Sequence, residues 1–277
     1  MDILARLEIN TDLAIRLITE FIRSELTRVG MKRAVLGLSG GVDSALVAAL
    51  SARALGPENV LAVLMPYRTS NPQSRADAEE MVRLLGITSK VIEITPMVDP
   101  YFERYLDGTG EKRRGNIMAR ERMIVLYDQS EVFGGLVIGT SNKTETLLGY
   151  TTQYGDNAAA IQPIGDLYKT QVWQLAAAAG VPEHIVKKAP SADLWQGQTD
   201  EGELGFTYAQ ADQILYLLVD ERRRPADIAV LGFDERVVRE IERRVERNHF
   251  KRVTAPVAKL SPRTIGADFL YARDWGT

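Results

Sequence analysis

Residues 39–44, Ser-Gly-Gly-Val-Asp-Ser, concentrate the donors and the charge that a phosphate-handling turn needs. One apolar run, Val35 to Leu38, enters the turn, and another, Ala45 to Leu50, leaves it. If the first is a strand and the second a helix, the backbone N–H groups between them point outward together. The positive end of the helix dipole then faces the same space. Gly40 and Gly41 remove side chains that would block a phosphate, Ser39 and Ser44 add hydroxyl donors, and Asp43 supplies a carboxylate. Two other nucleotide loops are excluded by spacing. A Walker A loop needs a lysine after its last glycine, and none follows Gly41; Gly37, Gly40 and Gly41 do not fit Gly-x-Gly-x-x-Gly. The plain alternative is a tight strand-to-helix turn capped by Ser39 or Asp43.

A second polar stretch, Gly139 to Tyr168, holds Thr140 and Glu145. One hydroxyl and one carboxylate there would complete a nucleotide and metal site with Asp43. The same residues fit an N-capped helix with Ser141 or Asn142 as the cap, and capping and function can coexist. Arg120 and Arg122 lie within Asn116 to Met123, on a long helical stretch. Their guanidinium groups suit bidentate contacts to phosphate or carboxylate, although two arginines on a helix more often mark a solvated face.

These groups need a frame. Largely helical spacing of Ile9, Leu13, Ile15, Leu17, Ile18, Phe21, Ile22 and Leu26 predicts a helix over 8–29. Buried strands are expected at Ala34–Leu38 and Val60–Leu64, and further strands at Lys90–Thr95 and Leu136–Gly139. Helices are expected at Asp43–Leu55, 72–85, 96–106 and 114–133. This alternation predicts an α/β fold with a doubly wound, parallel sheet, in which ligands sit at the carboxyl ends of the strands. Residues 191–206 are expected to form a loop, 208–222, 225–231 and 234–250 a helical C-terminal portion, and 256–277 a tail. No linker is apparent, so a single domain over 1–277, with its α/β core at 31–190, is expected.

Composition narrows the class. The 277 residues are 45% hydrophobic and 26% charged, with a net charge of −3, which argues against nucleic-acid binding through a basic surface. There is no cysteine, hence no disulfide, thiolate metal site or thiol nucleophile, which fits a cytoplasmic protein. The first 26 residues lack an apolar signal core, and no uncharged apolar run approaches the roughly 20 residues of a membrane helix.

The hexapeptide at 39–44 resembles the pyrophosphate loop of the N-type ATP pyrophosphatases, which split ATP between its α and β phosphates. The wider set of motifs resembles ammonia-dependent NAD synthetases: NIMARERM at 116–123, GTSNKTETLLGY at 139–150, QPIGDLYKTQV at 162–172, KKAPSADL at 187–194 and QTDE at 198–201, in that order. The resemblance covers about residues 8–255.

It implies an adenine nucleotide alpha hydrolase-like fold with a mainly parallel five-stranded sheet. It implies an ATP site at Gly37, Leu38, Ser39, Gly40, Gly41, Val42, Asp43 and Ser44, joined by Thr140, Lys169 and Ser191. Asp43 and Glu145 would hold Mg²⁺, Asp43 and Lys169 would serve catalysis, and Arg120 would contact the dinucleotide. Segments 68–75 and 191–205 look like two mobile loops that close over the site. Three positions depart from many relatives: Gln153 replaces a lysine, Ala160 an aspartate, and Phe250-Lys251 a His-Lys pair; all lie on the dinucleotide side. Gln153, Phe250 and Lys251 are thus expected substrate contacts.

The implied reaction adenylates the nicotinate carboxylate of deamido-NAD and then replaces AMP by ammonia, giving NAD. A fused glutaminase domain is not expected, since the chain has no cysteine for its nucleophile; free ammonia is the expected donor, and a separate ammonia-supplying glutaminase is compatible with the sequence. A homodimer is implied as well. The stripe Leu13, Leu17, Phe21 suits either that interface or the core. The rivals are an N-type pyrophosphatase with another acyl substrate and a nucleotide sensor without chemistry.

Overall fold

Alternation along two central strands sets the layers. In β1 (Ala34–Gly37), Ala34 and Leu36 join one apolar cluster and Val35 another. In β2 (Val60–Leu64), Val60, Ala62 and Leu64 join the first, and Leu61 and Val63 the second. Side chains on a strand point alternately to opposite faces, so a strand apolar at every position must be covered on both sides. With β3 (Thr88–Val91) and β4 (Leu136–Val137) they form a parallel sheet of order β3-β2-β1-β4. The computed structural model describes residues 3–106, 108, 110–191, 193, 195 and 197–270. Ala192, Leu194 and Gln196 of the expected 191–206 loop, and residues 271–277 of the expected tail, lie outside them.

In chain order, helices α1 to α6 span Thr11–Arg28, Val42–Leu55, Pro72–Leu85, Thr95–Tyr105, Glu111–Phe133 and Lys143–Leu148. Helices α7 to α12 span Lys169–Ala178, Glu183–Val186, Asp200–Leu204, Tyr208–Leu215, Pro225–Ala229 and Glu235–Arg247. One face of the sheet carries α1, α2, α3 and α7, and the other α4 and α5. Helix α2 is buried almost all round, and its alanines let neighbouring backbones approach. A third apolar cluster joins Leu148, Tyr168, Tyr208, Leu215, Ile228, Val238 and Ile241, and so seats α10, α11 and α12 on α6. Helix α12 also displays exposed pairs such as Arg243–Glu240. Such pairs contribute at most about 1 kcal/mol each, against about 1.5–3 kcal/mol for burying a Val or Ile side chain, so Val238 and Ile241 hold this helix.

The expected sheet of five strands has four. The fifth position is reduced to a single parallel bridge between Ile138 and Ile161, beside two backbone bonds, Gly139 N to Ile161 O and Ala160 N to Val137 O, both 2.9 Å. Pro163, which carries no N–H, then ends the ladder. The third strand begins and ends earlier than Lys90–Thr95, although Ile92 and Ile94 still donate to Leu64 and Pro66. Within the expected 191–206 loop lies the short helix α9. The α1 stripe also resolves. Leu13, Leu17 and Phe21 are 44%, 61% and 39% exposed, while Ile15, Thr19, Ile22 and Leu26 enter the core. Among the described residues no helix is long and apolar enough to cross a membrane.

Candidate active site

Strand β1 has β2 on one side and β4 on the other, so the direction of chain progression reverses at its carboxyl end. A crevice opens at such a switch point. Residues 39–44 follow β1, and residues 139–145 follow β4, so the two motifs flank one crevice.

The loop after β1 is held by its own serines. Ser44 Oγ donates to the Gly41 carbonyl at 3.0 Å and lies 3.1 Å from Ser39 Oγ, which accepts the Gly41 N–H at 3.3 Å. Leu38 N donates to the Val63 carbonyl at 3.0 Å, so the strand pairing runs to the edge of the turn. Gly37 closes β1, and Val42 is buried at the start of α2. Gly40 has φ +79°, and a Cβ there would stand 2.0 Å from the Ser74 carbonyl oxygen. Glycine is therefore required twice, by backbone conformation and by the approach of α3. Gly41 differs: a Cβ would meet only Ser39 Oγ, at 3.4 Å.

The carboxylate and the lysine meet at one atom. Lys169 Nζ donates to Asp43 Oδ2 at 2.6 Å and to Glu145 Oε1 at 3.0 Å. Asn142 joins the two motifs: its side-chain oxygen accepts the Glu145 N–H at 2.9 Å, capping α6, and its Nδ2 donates to Asp43 Oδ1 at 2.9 Å. Capping and site geometry thus coexist in one residue.

Lys169 itself is only 2% exposed. Burial works against its charge, but the Asp43 and Glu145 carboxylates overcome it and hold the ammonium above its ordinary range. For Glu145 burial wins, with the Asp43 charge adding to it against Lys169, and its carboxyl is pushed up to about 7. The cation is the firmer member of the pair, since two anions face it while Glu145 faces one cation and one anion.

Support for this centre comes from far along the chain. Thr144 Oγ1 accepts the Lys169 N–H at 2.9 Å and donates to Asp212 Oδ1 at 2.6 Å; Asp212 Oδ2 accepts the Thr170 N–H at 2.7 Å. The Lys169 ammonium lies 5.1 Å from the centre of the Tyr208 ring. Tyr208 and Tyr150 both donate to the buried Asp200, at 3.0 and 3.1 Å. Asp212 and Tyr208 escaped the sequence reading, and Asp200 entered it only as part of the 198–201 motif, with no role given. The one signal was Asp212 itself, a carboxylate on the otherwise buried face of α10.

The expected dinucleotide contacts gather separately. Arg120 Nε donates to the Gln153 carbonyl at 3.2 Å, and Gln153 Nε2 approaches the Phe250 carbonyl at 3.5 Å. Lys251 Nζ donates to the Gly149 and Thr151 carbonyls, at 2.7 Å each. Burial holds the Lys251 ammonium below its ordinary range. Arg122, in contrast to a solvated residue, donates from Nε to the Met65 carbonyl at 3.1 Å, and burial lowers its pKa. Thr140 is half-buried just after Gly139, whereas Ser191 is engaged within its own segment, donating to the Gln198 carbonyl at 2.8 Å. Of the two expected mobile loops, the first is helical from Pro72 onward. They touch where the Asp193 carboxylate accepts the Asn71 N–H at 3.0 Å.

A half-buried carboxylate pair bridged by a buried lysine, beside a glycine turn at the switch point of a parallel sheet, can bind a nucleoside triphosphate and its cation. Known proteins agree. The family model described as NAD synthase matches residues 14–255. The NH(3)-dependent NAD(+) synthetase of Trichlorobacter lovleyi is 57% identical over 273 residues, 99% of this chain and 100% of that protein. The solved structure of NMN synthetase from Francisella tularensis has a TM-score of 0.82 at 32% identity, covering 91% of this chain and 100% of that one. That of NH3-dependent NAD synthetase from Campylobacter jejuni, in complex with the nitrate ion, has a TM-score of 0.78 at 34% identity, with the same coverage. The chain belongs to the NAD synthase family.

Proposed function

We propose that this protein is an NAD synthetase that amidates deamido-NAD with ammonia at the expense of ATP, giving NAD, AMP and pyrophosphate. The observation that carries the reading is the meeting of Asp43, Glu145 and Lys169 at one Nζ beside the 39–44 turn, in a chain of which 99% aligns with an NH(3)-dependent NAD(+) synthetase.

A carboxylate does not condense with ammonia near neutral pH, so it must first acquire a leaving group. The nicotinate carboxylate attacks the α-phosphorus of ATP, the bond to pyrophosphate breaks, and an acyl adenylate remains. Ammonia then attacks the activated carbonyl and AMP departs. No protein nucleophile is required, and the protein's part is orientation and charge stabilisation. The N–H groups of residues 39–44 hold the departing pyrophosphate at the start of α2. Thr140 and Ser191 complete the nucleotide site, and Lys169 balances the charge that develops on the phosphates. Arg120, Gln153, Phe250 and Lys251 receive the dinucleotide.

The donor set fits Mg²⁺. Two carboxylate oxygens converge on the space that Lys169 Nζ reaches, and Mg²⁺ characteristically takes one or two carboxylates together with phosphate oxygens. Among the described residues no group of three acidic, histidine or cysteine side chains is placed to hold a metal ion. When bound, the ion neutralises phosphate charge and polarises the phosphorus centre. The reading extends to a cytoplasmic, single-domain homodimer that uses free ammonia, for which the cysteine-free sequence and the exposed α1 stripe are the support.

The test is a product analysis with ATP, Mg²⁺ and ammonium, offering either deamido-NAD or the acid mononucleotide. NAD and AMP formed one for one from deamido-NAD support the proposal, and Asp43→Ala should abolish both while the far-ultraviolet circular dichroism persists. Because a solved NMN synthetase has so similar a backbone, the mononucleotide is the competing substrate. Preferential turnover of it would replace deamido-NAD in this reading, and untouched ATP would favour a nucleotide sensor.

A further inference from the structure

Behind the turn at 39–44 lies a second lysine that the reaction above does not use. Lys188 Nζ donates to Asp77 Oδ2 at 2.7 Å, to Ser74 Oγ at 3.2 Å and to the Gly40 carbonyl at 3.4 Å. Three parts of the chain thus meet at one ammonium: the first turns of α3, the glycine turn after β1, and the segment after α8 that leads to Ser191. Asp77 is 1% exposed and also accepts from Gln73 Nε2 at 2.7 Å, while His184 Nε2 lies 3.5 Å away. Burial opposes the charge on Asp77, but Lys188 and Gln73 outweigh it and hold the carboxyl below its ordinary range. The pair is therefore a fixed ionic anchor rather than a loose surface contact.

The third contact bears on function. A trans peptide is planar, and its C=O and N–H point in opposite directions. The Gly40 carbonyl and the Gly41 N–H belong to one such unit. Fixing the oxygen from the α3 side turns the N–H the other way. On its other side that N–H meets Ser39 Oγ at a long 3.3 Å, so the unit is held between Ser39 within the turn and Lys188 from the α3 side. We propose that Lys188 is a positioning residue for the phosphate turn: anchored on Asp77 and Ser74, it holds the Gly40 carbonyl and so fixes the Gly40–Gly41 peptide plane, with its N–H against Ser39 Oγ, in the conformation that receives the pyrophosphate group. This rests on the reading of 39–44 as a pyrophosphate site. It also links that turn to the chain that carries Ser191.

The experiment measures binding of inorganic pyrophosphate with Mg²⁺ by calorimetry, alongside steady-state kinetics, for the wild-type protein and its variants. Loss of one oriented hydrogen bond to a charged group corresponds to about a tenfold change in affinity. Lys188→Met should therefore weaken pyrophosphate binding about tenfold and raise the KM for ATP by a similar factor, leaving the KM for deamido-NAD unchanged. Because that variant strands a buried carboxylate, Lys188→Met/Asp77→Asn is measured in parallel. It removes the stranded charge and should keep the binding defect, whereas Lys188→Arg should recover part of it. A double variant that binds pyrophosphate like wild type overturns the proposal, as does an equal rise in both KM values. Absence of pyrophosphate binding by the wild-type protein overturns the site reading, and this inference with it.

Discussion

At the scale of the residue, the centre is a contest between burial and pairing. Glu145 enters it with a carboxyl pushed up to about 7 by burial and by the neighbouring Asp43 charge. A metal takes the ionised form, so below that pH each ion bound at Glu145 must displace a proton. The affinity for Mg²⁺ in the presence of ATP is expected to rise with pH up to about 7 and then level off. Titrations of Mg²⁺ across that range check this, and Glu145→Gln should flatten the curve. In the ligand-free protein the sign for stability is opposite. The fold favours the neutral carboxyl, so the contribution is complete below the ordinary value of 4.5 and is lost as pH rises through about 7. Asn142 and Lys169 show how far single residues were legible. The sequence offered Ser141 or Asn142 as a helix cap; the structure selects Asn142 and adds its bond to Asp43, which no local pattern announces.

At the scale of the element, the two adjacent glycines of one turn have separable duties. Gly40 is bound to its conformation and to the nearness of Ser74. Gly40→Ala should destabilise the fold by about 1–2 kcal/mol from backbone conformation alone, with the clash in addition. Gly41 is extended, with φ −93° and ψ 160°, and a methyl group there has room. Gly41→Ala should thus leave the thermal midpoint within a few degrees of wild type while weakening ATP binding, because the methyl intrudes on the anion's space. Equal losses of stability in the two variants would deny the distinction. The elements most legible in the sequence were those with a strong local signal: α2, α3, α5 and β2 lie within three residues of expectation. The fifth strand was not, because its length is decided by Pro163 meeting a ladder that another part of the chain supplies. Nor was α9, five residues in a polar stretch whose helicity is stabilised by tertiary contacts such as Tyr208 to Asp200.

At the scale of the whole molecule, the exposed stripe on α1 is the feature that packing within one chain leaves unexplained. Leu17→Glu, at the most exposed of its three positions, should shift the sedimentation coefficient from dimer to monomer with little change in the thermal midpoint; an unchanged coefficient would remove α1 from the proposed interface. The sequence also divided the chain into an α/β core and a helical C-terminal portion, and the structure joins them more closely than that division suggests. Asp212, from α10, holds both Thr144 and the Thr170 N–H, and so steadies the two ends of the segment that delivers Lys169. Linkage makes that connection work in both directions. Whatever tightens around Lys169 also tightens α10, so the nucleotide acts at a distance as a clamp on the C-terminal helices, and hydrogen exchange there becomes a gauge of occupancy in a crevice built by the α/β core.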